Sequence, residues 1–179
     1  MPEWANYVFD KIVLAVLVGL ITSSIFLLML SRLRPRLNIS PNIARGTSTK
    51  TQQIIYRIKV INRSRYPLTD IRAQLHIYKN YQTAAGDIWK SEALTLTRPD
   101  PIIIDKYDKN DSEANYAYRF VTYDLDNRWS DDTTQFVRFR VFARHSLSGF
   151  GGFFCKDYRL KRVALVNGDF VKGDAFDVV

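Results

Sequence analysis

The run from Ile12 to Ser31 constrains this chain more than any other feature: 20 consecutive residues, IVLAVLVGLITSSIFLLMLS, carry no charge. At about 1.5 Å of rise per residue, a helix of that length covers roughly 30 Å, the thickness of a bilayer's hydrocarbon core. The buried helix of a soluble core seldom runs so far without polar interruption. A cleaved signal peptide needs a basic leading flank and small residues at its close. Here the leading flank holds Glu3, Asp10 and only Lys11, and the run closes on SRLRPR. The sequence therefore predicts a transmembrane helix over 12–31.

The flanks orient that helix. Arg32, Arg34 and Arg36 crowd its C-terminal side, with Arg45 and Lys50 beyond, against Lys11 alone on the other. Cytoplasmic flanks carry the excess of Lys and Arg. The expectation is a single-pass protein of the inner (cell) membrane. Residues 1–11 form an extracytoplasmic stub, 32–37 a basic juxtamembrane linker, and 38–179 a cytoplasmic domain. Trp4 and Tyr7 then suit the outer interface as aromatic anchors. Ala15, Gly19 and Ser23 recur every fourth residue on one face, a spacing that lets two membrane helices approach closely. They are the candidate helix-packing residues.

Beyond Leu37 the pattern changes to alternation with period two. Tyr56, Ile58 and Val60 alternate with Arg57, Lys59 and Ile61; Ile71, Ala73, Leu75 and Ile77 with Arg72, Gln74, His76 and Tyr78. Val137, Phe139, Val141 and Ala143 alternate with Arg138, Arg140, Phe142 and Arg144. Each is the mark of a strand with one buried face. Shorter strands are expected at 93–97, 102–104, 116–122 and 163–166. Turn residues separate them at 62–67, 98–101, 124–132 and 167–169. With no amphipathic helix in view, these elements make an antiparallel β-sandwich behind one N-terminal transmembrane α-helix.

The chemistry-bearing residues are few. One Cys and two His in the whole chain exclude a disulfide framework and a His- or Cys-based metal cluster. Cys155, between Phe154 and Lys156, is expected to be buried. His76 falls on the polar side of its strand and is expected to be solvated. Ser146 and Ser148 lack the G-x-S-x-G elbow of a hydrolase. Asp124 and Asp126 begin like a calcium loop, but Arg128 takes the next ligand position. No P-loop is present, so the expectation is a non-enzymatic protein without a cofactor or metal. The net charge of +8 raises the question of nucleic acid. Setting aside Glu3, Asp10, Lys11 and the three linker arginines leaves 22 basic and 16 acidic residues, spread over several strands and turns. That spread speaks against nucleic acid as a partner.

Arg32, Arg34 and Arg36 have a second use besides topology. Juxtamembrane cations are attracted to an anionic leaflet by about 1 kcal/mol each, so the three are the candidate lipid-binding residues, with the bilayer and its anionic head groups as partners.

Several stretches taken together resemble the cytoplasmic domain of bacterial inward-rectifier potassium channels. They are Tyr56–Asn62, Asp70–Leu75, Gly86, Leu94-Thr-Leu-Thr-Arg98 with Pro101-Ile102, Phe120–Asp126, Ala143–Ser146 and Gly168-Asp169-Phe170. The resemblance implies an immunoglobulin-like sandwich below a helix corresponding to the channels' inner helix. It also implies a tetrameric homo-oligomer and adds weight to lipid contact by the linker arginines. The departures matter as much. Channels of that family have a second helix, a pore helix and a filter. The Ser148–Gly151 segment echoes a filter only in letters, lying in a polar loop far from the membrane run. The expectation is a membrane-anchored interaction or regulatory module that does not conduct potassium alone. The alternatives are an accessory subunit of a true channel and a ligand-sensing membrane effector.

Overall fold

The computed structural model describes residues 3–49 and 51–179, with side chains from Asp10 onward except Ser31. Lys50 and the side chains of Trp4 and Tyr7 lie outside that description. The chain divides into two units, Met1–Arg34 and Pro35–Val179.

The first unit is one helix, α1 (Glu3–Arg32), continuous through the apolar run. Its Asp10–Leu30 stretch is long and apolar enough to cross a membrane, and none of it is buried within the protein. Two polar side chains inside the run are satisfied locally. The Thr22 hydroxyl donates to the Val18 carbonyl and the Ser24 hydroxyl to the Leu20 carbonyl, both at 2.8 Å. Such bonding lets hydroxyls sit among apolar neighbours without an orphaned donor. Pro35 cannot extend the helix and disfavours helical geometry in the residue before it, which accounts for the stop at Arg32.

The second unit consists of two sheets. The first holds β1 (Leu37–Ile39), β2 (Ile43–Thr47), β3 (Ile54–Asn62), β7 (Ala117–Thr122) and β10 (Leu165–Asn167). β3 is its centre, antiparallel to β7 on one edge and to β1 and β2 on the other; β10 joins β2 in parallel. The second sheet holds β4 (Leu68–Thr83), β5 (Gly86–Leu94), β6 (Ile103–Ile104), β8 (Gln135–His145) and β9 (Gly151–Tyr158). Its order is β5-β4-β8-β9, all antiparallel, with β6 beside the start of β4.

One core joins the sheets. The alternating residues expected to face inward do so: Ile58 and Val60 of β3, Leu75 and Ile77 of β4, Val137, Phe139 and Val141 of β8 all belong to it. Phe120 of β7 meets Phe139 of β8 across the gap, ring centroids 5.3 Å apart.

The other face of β3 is also covered. Ile61 packs with Ala114 and Tyr116 in a smaller cluster, and Lys59 is 1% exposed. Its cover is the C-terminal segment, which folds back on itself through mutual Asp169–Val179 backbone hydrogen bonds of 2.8 and 3.0 Å. Lys59 Nζ donates to the Val171 and Ala175 carbonyls, each at 2.7 Å. Arg119 donates to the Phe170 carbonyl at 2.9 Å, and Arg57 pairs with Asp169. Gly168 turns the segment at φ +126°, where an added Cβ would collide with the Val179 carbonyl.

Several sequence expectations are corrected here. Leu37 is the first residue of β1 and buried, so it belongs to the sheets rather than to the linker. The strand expected at 163–166 is a single helical turn, α2 (Lys161–Ala164), followed by β10. The strand expected at 93–97 lies earlier, as β5, the return arm of a long hairpin with β4. β9 runs through Cys155, whose thiol is exposed because Phe154 takes the inward position and leaves Cys155 opposite Arg140 on the outer face. His76 is half-buried, with Nδ1 out of contact with solvent and unpaired.

Candidate functional site

The outer face of the second sheet carries the densest concentration of chemistry in the β unit. Because side chains alternate across a strand, the residues between the core positions share this face. Cross-strand register then sets the rows: Tyr78 opposite Phe136, His76 opposite Arg138, Gln74 opposite Arg140, Arg72 opposite Phe142. β9 adds Asp157 beside Arg138, Cys155 beside Arg140 and Phe153 beside Phe142. β5 adds Trp89, opposite Asn80. Four of the chain's arginines, Arg72, Arg138, Arg140 and Arg144, thus share one surface with aromatic rings.

At one end of this face the rings form a corner. Tyr78 and Phe136 stack with centroids 4.9 Å apart and planes 4° from parallel, and Trp89 meets Phe136 edge-on at 5.3 Å. The Arg138 guanidinium lies 5.1 Å from the centroids of both Tyr78 and Phe136, a cation–π arrangement. Asp157 accepts two hydrogen bonds from Arg138, at 2.6 and 2.7 Å. This fork fixes the guanidinium, and Arg138 in turn holds the Asp157 carboxyl below the ordinary carboxylate range. Arg140 donates to the Tyr78 hydroxyl at 2.7 Å. Burial, helped by the nearby Arg140 charge, pushes the His76 imidazole down from its usual value, so it is neutral at pH 7.

A cleft of about 620 Å³ opens at this corner, walled by Tyr78, Trp89, Gln135, Phe136, Arg138 and Arg159. Its volume falls in the range of small-molecule sites. Arg159 is exposed and makes no ion pair among the described residues, though its charge helps to lower the Asp157 carboxyl. At the opposite end of the face the charge is met in part internally: Asp70, at positive φ beside the bulge in β4, pairs with both Arg72 at 3.4 Å and Arg144 at 3.5 Å.

The residues singled out from the sequence fall elsewhere. Arg32 and Arg34 belong to the helical unit and Arg36 to the β unit, all three exposed and without an ion pair among the described residues. Arg36 has a fixed backbone, its N–H donating to the Ser64 hydroxyl at 2.8 Å and its carbonyl accepting from Arg63 at 2.7 Å. Ala15, Gly19 and Ser23 lie on the exposed helix surface, and a Cβ added at Gly19 would meet nothing within 4 Å.

No group of three metal-ligating side chains occurs among the described residues. Ser148 and His145 do meet, the Ser148 N–H and hydroxyl each 3.3 Å from His145 Nδ1. The imidazole is buried, its pKa lowered by desolvation, and the contact closes the β8–β9 turn. Sequence reasoning passed over Tyr78, Trp89, Phe136 and Arg159. The available signal was an aromatic at an outward position of a strand, Tyr78 and Phe136 standing where a solvated residue is the rule. Compared with known protein families and with curated proteins, the chain matches none.

Proposed function

We propose that this chain is a single-pass protein of the inner membrane whose β unit works in the cytoplasm as a non-enzymatic interaction module, its recognition surface the outer face of the second sheet. One observation carries the reading. A helix apolar enough for lipid adjoins a β unit with a closed core of its own, and that unit keeps aromatic rings and arginines on an exposed face. Exposed aromatic surface rimmed by polar and charged residues marks interaction and ligand-binding sites.

The fold assigned in this reading is an immunoglobulin-like sandwich. Its support is the pairing order: β3 beside β7 in one sheet, β5-β4-β8-β9 in the other. That order matches A-B-E and C′-C-F-G strands of such domains. The similarity of Tyr56–Asn62, Leu94–Arg98 and Ala143–Ser146 to inward-rectifier cytoplasmic domains supports the same fold. A tetramer and an accessory role beside a true channel rest on that similarity alone. The cleft favours a second reading, a ligand-sensing membrane effector.

A reporter fused after Val179 tests the arrangement. A green fluorescent protein should fluoresce and an alkaline phosphatase should stay inactive; an active phosphatase would place the β unit outside and overturn the proposal. Purification in detergent adds the partner: co-purified channel chains would single out the accessory role.

A further inference from the structure

We propose that the cleft at the Trp89 corner binds a free nucleotide, its base stacked on the exposed indole and its phosphate held by Arg159. This inference rests on reading the second-sheet face as the recognition surface.

Each wall supplies one part of that chemistry. Trp89 is 49% exposed, the most accessible of the three clustered rings, and Phe136 abuts it edge-on. A base has a π face that stacks on such an indole, and stacking of this kind contributes substantially per base. Arg138 is committed to Asp157 and to the rings beneath it, so its charge is locally neutralised. Arg159 makes no ion pair among the described residues, though its charge reaches Asp157, and is the exposed cation at the cleft that can meet an anion, with Arg140, bound only to a neutral phenol, on the same face. The Thr133 hydroxyl and the Gln135 amide on the same wall offer donors and acceptors to a base edge. A volume of about 620 Å³ is larger than a single-ring acid needs and ample for a base, sugar and phosphate together.

The charge layout distinguishes a free nucleotide from a nucleic-acid strand. A strand needs a basic track along its backbone. Here the far end of the face is partly neutralised, since Arg72 and Arg144 share the carboxylate of Asp70. At the cleft, Arg159 is exposed and makes no ion pair among the described residues.

Titration calorimetry on the full chain in dodecyl maltoside micelles tests this, with AMP, GMP, adenosine, inorganic phosphate and octauridylate as probes. AMP or GMP should bind, and adenosine and phosphate should each bind more weakly than the nucleotide. Trp89→Ala should weaken nucleotide binding about fivefold to 150-fold, the range one stacked ring contributes. Trp89→Phe should restore most of it. Arg159→Gln should weaken AMP binding while leaving adenosine unchanged. Lys172→Gln, in the C-terminal segment beyond β10, should have no effect. No heat with either nucleotide up to about 10 mM, or equal binding by the Trp89→Ala and Arg159→Gln variants, would overturn the proposal. Octauridylate bound tenfold more tightly than AMP would overturn it in favour of a strand. None of these outcomes touches the reporter experiment, so the two readings fail separately.

Discussion

Replacing Lys59 by Met should change how stability depends on pH, and the structure sets the window. Lys59 is 1% exposed, and its Nζ meets two backbone carbonyls but no carboxylate. Burial pushes its pKa down from 10.5 to about 8; Arg119 and Arg63 push the same way, while Asp174 and Asp177 oppose them. Below pH 8 the lysine is charged both folded and unfolded, and keeping the buried ammonium costs about 3 kcal/mol. Between the folded and unfolded values the folded protein has released a proton that the unfolded chain still holds. Stability therefore rises with pH through this window. Buried tyrosines impose the opposite slope above their ordinary value of 10.0, with Tyr56 raised to about 12 and Tyr158 higher still. The clean interval is pH 8 to 10, where wild type should gain about 2 kcal/mol. Urea unfolding of the full chain in micelles, followed by the fluorescence of the buried Trp129, measures it. Lys59→Met should be flat over the same interval. An equal rise in the variant, or none in wild type, would refute the assignment of this slope to Lys59.

Phe139→Ala removes the ring that joins the two sheets through Phe120; it should cost about 3–5 kcal/mol in the same unfolding assay, and a loss under about 1 kcal/mol would mean that the sheets do not share this core. Replacing Arg32, Arg34 and Arg36 together by Gln should weaken capture of a linker peptide by anionic vesicles by roughly 3 kcal/mol at low salt and less at high salt. Unchanged capture would leave these arginines with topology as their only role.

The sequence made one thing legible at long range and left another hidden. The period-two pattern marked β3, β4 and β8 because every second residue of those strands enters a shared core, as Ile58, Leu75 and Phe139 do. The same pattern says nothing about which outward residues become neighbours. Tyr78 and Phe136, or Arg138 and Asp157, meet only because strand register sets them opposite one another; taken singly, each is an outward position whose neighbours the pattern does not name. β9 escaped notice because Gly151–Tyr158 has apolar residues on both faces, and a sheet-edge strand need bury only one of them. Cys155 was misjudged for the same reason, since composition cannot tell which of Phe154 and Cys155 points inward. The burial of Lys59 has no local signature because its cover, the segment from Gly168 to Val179, arrives from the far end of the chain. Burial of the core faces is thus encoded by local alternation, while the recognition face and the buried lysine are products of pairing between distant segments. A substitution that slipped β8 by one residue against β4 would break the core and disperse the Trp89 corner at once. The surface proposed to recognise a ligand therefore owes its geometry to the same register that holds the two sheets together.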